Sequence, residues 1–159
     1  MENKQTVTVI GAGLAGSEAA WQIAQAGYPV RLFEMKPQKF SPAHKSAGFA
    51  ELICSNSLKA ARIDSAAGLL KEEMRRMDSL LVACADKTAV PAGGALAVDR
   101  DRFSELVTKA ITEHPNIEVM HGEVTEIPAE GVTVIASGPL TSDTLAEQIT
   151  NLCGGALSF

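Results

Sequence analysis

Aromatic side chains make up only 4% of the 159 residues, with one tryptophan and one tyrosine. With 46% apolar residues, that scarcity points to a soluble α/β domain whose core is built on Val, Ile, Leu and Ala. The three cysteines, Cys54, Cys84 and Cys153, form an odd and widely spaced set without a CxxC pair, which argues against a disulfide framework or a zinc site. No apolar run approaches the roughly 18 residues needed to span a bilayer. The N-terminal Met-Glu-Asn-Lys-Gln lacks the apolar segment of a signal peptide. A reducing, cytoplasmic compartment is the resulting expectation. The formal net charge of −5 removes any overall pull toward nucleic acid or acidic lipid. There is no internal repeat and no low-complexity tract. The length suits one well-buried domain.

What is present is concentrated near the start. A β-branched strand, 6–10, runs into Gly11-Ala12-Gly13-Leu14-Ala15-Gly16, a helix over 14–27 runs out, and a second strand over 29–34 ends in Glu34. Strand, glycines, helix, strand and acidic residue together form a dinucleotide-binding βαβ fingerprint. Gly11 permits the tight turn, Gly13 lets backbone approach a pyrophosphate, and Gly16 lets the helix pack close to the sheet. The helix N-terminus presents unpaired N–H groups and partial positive charge to phosphate. Glu34 is placed to accept hydrogen bonds from ribose hydroxyls and would repel a 2′-phosphate, favouring FAD or NAD over NADP.

From Met35 to Ser65 the pattern turns irregular, the length of a functional or disordered connection. Asp64 or Ser65 is expected to cap a helix through about Met77, with Leu69, Leu70, Met74 and Met77 at helical spacing. A further helical piece follows near Leu80–Ala85, then a loop and short strand within 88–98. Asp99 reads as the cap of a helix to about Glu113 whose buried stripe is Phe103, Leu106, Val107, Ala110 and Ile111. Strands are expected at Ile117–Met120, continuing with apolar alternation from Gly122 to Ile127, and at Val132–Ile135. Thr141 or Ser142 caps a last helix through about Leu152. The ending after Gly154-Gly155 reads as a cut through a larger protein.

Two later segments narrow the ligand. The Gly122-Glu-Val124 turn and the Ala136-Ser137-Gly138-Pro139 stretch resemble the continuation found in two-dinucleotide flavoproteins. There the first turn lays backbone against the adenine, and the second passes under the cofactor where only small residues fit. Together with the fingerprint they favour FAD.

The Pro42-Ala43-His44 loop, Phe49-Ala-Glu51-Leu-Ile-Cys54-Ser55-Asn56-Ser57, Val90-Pro-Ala-Gly-Gly-Ala-Leu-Ala-Val98 with Asp99-Arg100-Asp101-Arg102-Phe103, and Ala136-Ser-Gly-Pro-Leu-Thr-Ser142 occur in the order found in one family. The chain resembles the N-terminal part of the folate- and FAD-dependent tRNA (uracil-5-)-methyltransferases, the TrmFO family, formerly Gid. The resemblance covers essentially all 159 residues. It implies a Rossmann-like FAD-binding domain with a parallel sheet over 1–159, incomplete, with the rest of the flavin domain and an inserted domain outside this chain. It also implies transfer of a one-carbon unit from methylenetetrahydrofolate to C5 of a T-loop uridine in tRNA, with reducing equivalents from FAD and NADPH or NADH, the isolated chain being inactive. The implied cofactor residues are Gly11, Ala12, Gly13, Leu14, Ala15, Gly16, Glu34, Val124, Ser137 and Gly138. Cys54 is implied to be catalytic, close to the flavin.

The residues themselves support Cys54 in part. Ser55, Asn56 and Ser57 offer hydrogen bonds and could open a helix, whose N-terminus favours a thiolate. Composition alone also allows a buried, inert cysteine. Cys84 and Cys153 fall on apolar helical faces and read as structural. His44 and Lys45 are candidates for phosphate or folate carboxylates, and Arg100 or Arg102 for cofactor or substrate, against the plainer reading of solvated loop and surface. Lys71-Glu-Glu-Met-Arg-Arg76 reads as an exposed helix face with i,i+4 pairing. Two other readings stay open: the related flavoprotein family that modifies wobble uridine, and a non-catalytic dinucleotide-binding module.

Overall fold

The computed structural model describes residues 4–155. Strand β1 (Val7–Ile10), helix α1 (Leu14–Gln25) and strand β2 (Val30–Glu34) form the first unit. β6 (Ile117–His121) and β7 (Val132–Ile135) complete a four-stranded sheet ordered β6-β2-β1-β7, every pair parallel. Val7 aligns with Val30 on one side and with Val132 on the other. The chain is thus a Rossmann-like α/β fold with parallel strands connected through helices. α1 packs on β1 and β2, burying Ala20 and Ala24 against Val9, Val30 and Leu32.

Between β2 and β6 lie β3 (Ser57–Ala60), α2 (Ala66–Arg76), α3 (Leu80–Lys87), β4 (Ala89–Val90), β5 (Ala95–Val98) and α4 (Arg100–Thr112). The expected short strand within 88–98 is in fact part of a second, antiparallel sheet ordered β3-β5-β4. The expected stripe of α4 is its inner face: Phe103, Val107 and Ile111 are buried and Leu106 and Ala110 pack against the same core. Full burial of each large side chain contributes roughly 1.5–3 kcal/mol. The caps fall at Ser65, whose hydroxyl accepts from the Gly68 N–H, and at Asp99, whose carboxylate accepts from the Arg102 N–H. α5 (Asp143–Cys153) follows Ser142.

Four local expectations are corrected. Residues 122–127 are not extended strand: β6 ends at His121, the Gly122 N–H closes onto the Glu34 carbonyl at 2.9 Å, and Gly122 turns the chain away at φ +144°. Asn56 and Ser57 open no helix. Ser57 begins β3, and the Asn56 amide and backbone pair with Val98 instead. Leu69, Leu70 and Met77 of α2 face outward, while Lys71 turns inward to donate its ammonium to the carbonyls of Ala60 and Ala67, each at 2.9 Å. Its aliphatic stem fills the place expected of a leucine, and desolvation holds its pKa below the ordinary lysine value. Glu72 does pair with Arg76 and Arg75, as expected of an exposed face. Cys153 is exposed on α5, whereas Cys84 is buried and its thiol pushed up by desolvation.

Candidate functional site

A cleft opens at the carboxyl ends of the parallel strands, where such sheets place their ligands. Gly11 and Gly13 line one wall, Glu34 and Lys36 the floor beyond β2, and Gly122, Glu123 and Val124 the end of β6. Ala136 and Ser137 line it from β7, and Leu145 of α5 forms a buried apolar part of its rim.

The glycines differ in what they do. Gly11 has φ +98°, and a Cβ there would lie 2.7 Å from the Ala136 carbonyl oxygen, so the turn and the β7 end approach each other as only glycine allows. A Cβ on Gly16 would overlap the Gly11 carbonyl oxygen, which fixes α1 against the turn. A Cβ on Gly13 would meet nothing within 4 Å. Its φ is −72°, an ordinary value, so no backbone or packing requirement explains the glycine. Open space at an unsubstituted backbone beside a helix N-terminus fits a pyrophosphate.

Glu34 is buried at 6% exposure. Its Oε2 accepts the Ala12 N–H at 2.8 Å and its Oε1 accepts the Lys36 N–H at 3.0 Å. The side chain is therefore aimed from β2 across to the glycine turn, and each oxygen retains a lone pair for a hydroxyl. That donor-poor, acceptor-rich floor fits a ribose diol and opposes a phosphate at the same place.

The other sequence-derived candidates separate. Ala12 is buried in the turn, while Leu14 and Ala15 are exposed on the first turn of α1. Val124 and Ser137 line the cleft, and the Ser137 hydroxyl donates to Thr141 Oγ1 at 2.6 Å, whose own proton goes to the Gly138 carbonyl. Gly138 lies just outside, exposed. His44 lines the cleft, whereas the Lys45, Arg100 and Arg102 side chains are exposed. Cys54 is exposed on the loop before β3 and is not among the cleft residues.

Three participants carried no role in the sequence reading. Lys36 is 3% exposed, donates to the Gly48 carbonyl at 2.6 Å and lies 3.7 Å from Glu51 Oε2. Glu51 Oε1 accepts the N–H groups of Lys45 and Ser46, and Oε2 is a buried acceptor with no hydrogen bond. Glu123 receives the Lys39 ammonium at 2.7 Å, which holds its carboxyl below the ordinary value. Charged residues inside irregular loops leave no periodic signal, so only their place beside Glu34 or within the Phe49–Ser57 segment could have marked them. Among the described residues no group of His, Cys, Asp or Glu is arranged to hold a metal ion, and no helix is long and apolar enough to cross a membrane.

The chain is 62% identical over 150 residues to the methylenetetrahydrofolate–tRNA-(uracil-5-)-methyltransferase TrmFO of Lactobacillus johnsonii, covering 94% of this chain and 34% of that protein. It is 63% identical over 153 residues to the protein of the same name from Geobacter sulfurreducens, covering 96% and 35%. The chain thus spans about a third of the length of the curated relatives it matches. Among solved structures, Aquifex aeolicus GidA superposes with a TM-score of 0.64 at 20% identity, over 81% of this chain and 21% of that one. NikD, an amino acid oxidase of nikkomycin biosynthesis, gives 0.52 at 17% identity, over 87% and 52%. These two likenesses concern the fold. The family model described as glucose inhibited division protein A matches residues 6–155, and the chain belongs to that family.

Proposed function

We propose that this chain is the FAD-binding part of a longer methyltransferase that forms 5-methyluridine in the T-loop of tRNA, using methylenetetrahydrofolate as carbon donor and NADPH or NADH as reductant. The observation that carries the reading is the pairing of an unexplained open glycine, Gly13, with a buried carboxylate, Glu34, hydrogen-bonded to the intervening Ala12. Two relatives above 60% identity have names that state the folate donor, tRNA and the uracil C5 position, and these support that part of the reading.

The chain's own residues then divide the work. The backbone at Gly11–Gly13 and the α1 N-terminus hold the pyrophosphate, and Glu34 accepts the adenosine ribose hydroxyls. The Gly122–Val124 turn and Leu145 border the base, while the small residues Ala136 and Ser137 leave room beneath the cofactor. Bound FAD supplies the redox chemistry that a protein side chain cannot. Cys54 is the active cysteine, and its exposed position leaves the thiol open to a tRNA substrate. Basic tRNA-binding surface belongs to local patches or to the rest of the protein, since this chain is acidic overall. A tRNA substrate fits a cytoplasmic protein.

The test is flavin retention and methyl transfer in the complete enzyme. Wild type should hold FAD and methylate a T-loop transcript. Gly13→Val should lose the flavin. Cys54→Ala should keep the flavin and lose most methylation, while Cys84→Ala keeps both. A colourless wild type that stays so after incubation with FAD overturns the cofactor reading, and full methylation by Cys54→Ala removes that cysteine from the chemistry. Modification of a wobble uridine instead of the T-loop would favour the related flavoprotein activity.

A further inference from the structure

The glycine turn supplies one wall of the cleft, and a loop hydrogen-bonded to that turn supplies another. Residues 44–51 are fixed against the turn from several directions. The Ala50 N–H donates to the Ala12 carbonyl at 2.9 Å. The Lys36 ammonium donates to the Gly48 carbonyl, and the Ser104 hydroxyl to the Phe49 carbonyl, both at 2.6 Å. The Phe49 N–H donates to Thr108 Oγ1 at 2.8 Å. On this wall His44 lines the cleft with Gly11, Gly13 and Glu34.

The tautomer of His44 follows from Ser41. The Ser41 oxygen receives the N–H groups of Ala43 and His44 at 3.4 and 3.3 Å, and it lies 2.6 Å from His44 Nδ1. With its lone pairs engaged by two backbone donors, Ser41 has its own proton left to give. Nδ1 is then the acceptor, and the neutral imidazole carries its proton on Nε2. Among the described residues Nε2 has no hydrogen-bond partner. The lysine that lines the cleft, Lys36, is already engaged by Gly48 and Glu51. Glu34, Glu51 and Glu123 are acceptors that oppose an anion, which leaves the backbone N–H groups at the α1 N-terminus as the lining suited to phosphate.

We propose that His44 recognises the diphosphate of the bound dinucleotide, donating Nε2–H to a phosphate oxygen, with Ser41 as a positioning residue that fixes the tautomer. The assignment rests on the dinucleotide reading above. It names a diphosphate donor outside the glycine fingerprint, on a loop whose sequence carries no phosphate motif.

The test compares ADP with adenosine, both titrated calorimetrically against the complete enzyme stripped of its flavin. His44→Ala should weaken ADP about tenfold and leave adenosine within about twofold, as expected for losing one hydrogen bond to a charged group. His44→Gln, which keeps an N–H donor, should lose less, and Ser41→Ala should show the same ADP-selective pattern at smaller size. Circular dichroism checks each variant's fold. If His44→Ala does not fold, His44→Gln and Ser41→Ala decide by the same ratio. Equal losses for ADP and adenosine, or unchanged ADP affinity in folded variants, overturn the role of His44 alone. Wild type that binds neither compound overturns the dinucleotide reading, and this assignment with it.

Discussion

Gly13 and Gly16 stand three residues apart in one turn, and their side-chain positions meet opposite surroundings. Gly16→Ala forces a methyl onto the Gly11 carbonyl, a backbone atom that cannot step aside. It should cost about 3 kcal/mol or more, visible as a lowered urea midpoint or failure to fold. Gly13→Val points into open space, so its melting temperature should stay close to wild type while dinucleotide affinity is lost. The cysteines offer a second check at this scale. Cys54 and Cys153 are exposed, and Cys84 is buried with its thiol pushed up by desolvation. Two thiols should therefore react with a disulfide reagent in the native protein at pH 8, and the third only after denaturation. The turn at Gly11 and the close packing at Gly16 were legible in the sequence because spacing and context determine them. The burial of Lys36 and the orphaned oxygen of Glu51 were not, because both arise from loop contacts between residues far apart in the chain.

At the scale of elements, the helices with polar caps and regular apolar stripes were readable. α1 and α4 end and begin at the positions that Gly27 and Asp99 suggest. α4 also clamps the cleft wall through Ser104 and Thr108, so its cap reaches the site. Asp99→Ala should destabilise the protein by about 1 kcal/mol in urea unfolding. The second sheet escaped because β4 has two residues and β3 contains Lys59 at φ +69°, too short and too irregular for alternation to register. α2 misled for a different reason. Its leucines obey the helical period, but Gly68 and Lys71 form the buried contact, and only the tertiary neighbours of β3 decide which face turns inward.

At the scale of the whole molecule, the 36–40 segment is tied to the end of β6 by Lys39 and Glu123. The pair lowers the folded pKa of Glu123 beneath its ordinary 4.5, so the folded state releases that proton more readily than the unfolded chain. The sign follows from linkage: the stabilisation is present above the unfolded value and disappears as pH falls through the folded one. Urea midpoints of wild type and Glu123→Gln should therefore differ near neutrality and converge as pH falls below 4.5 and through the lowered folded value. A gap that stays constant while the carboxylate titrates would assign the effect to packing instead of charge.

β1 sits in the middle of the parallel sheet, yet its neighbour β7 lies about 125 positions later in the chain, with Val7 against Val132. During synthesis at 5–20 residues per second, that flank of β1 waits roughly 6–25 s for its partner to emerge. A newly made chain thus passes through a stage in which β1 and β2 are paired while the opposite edge of Val7–Ile10 offers its amides and carbonyls to any strand that arrives. The ribosome-bound chain, not the finished protein, is where this fold is most exposed to mispairing.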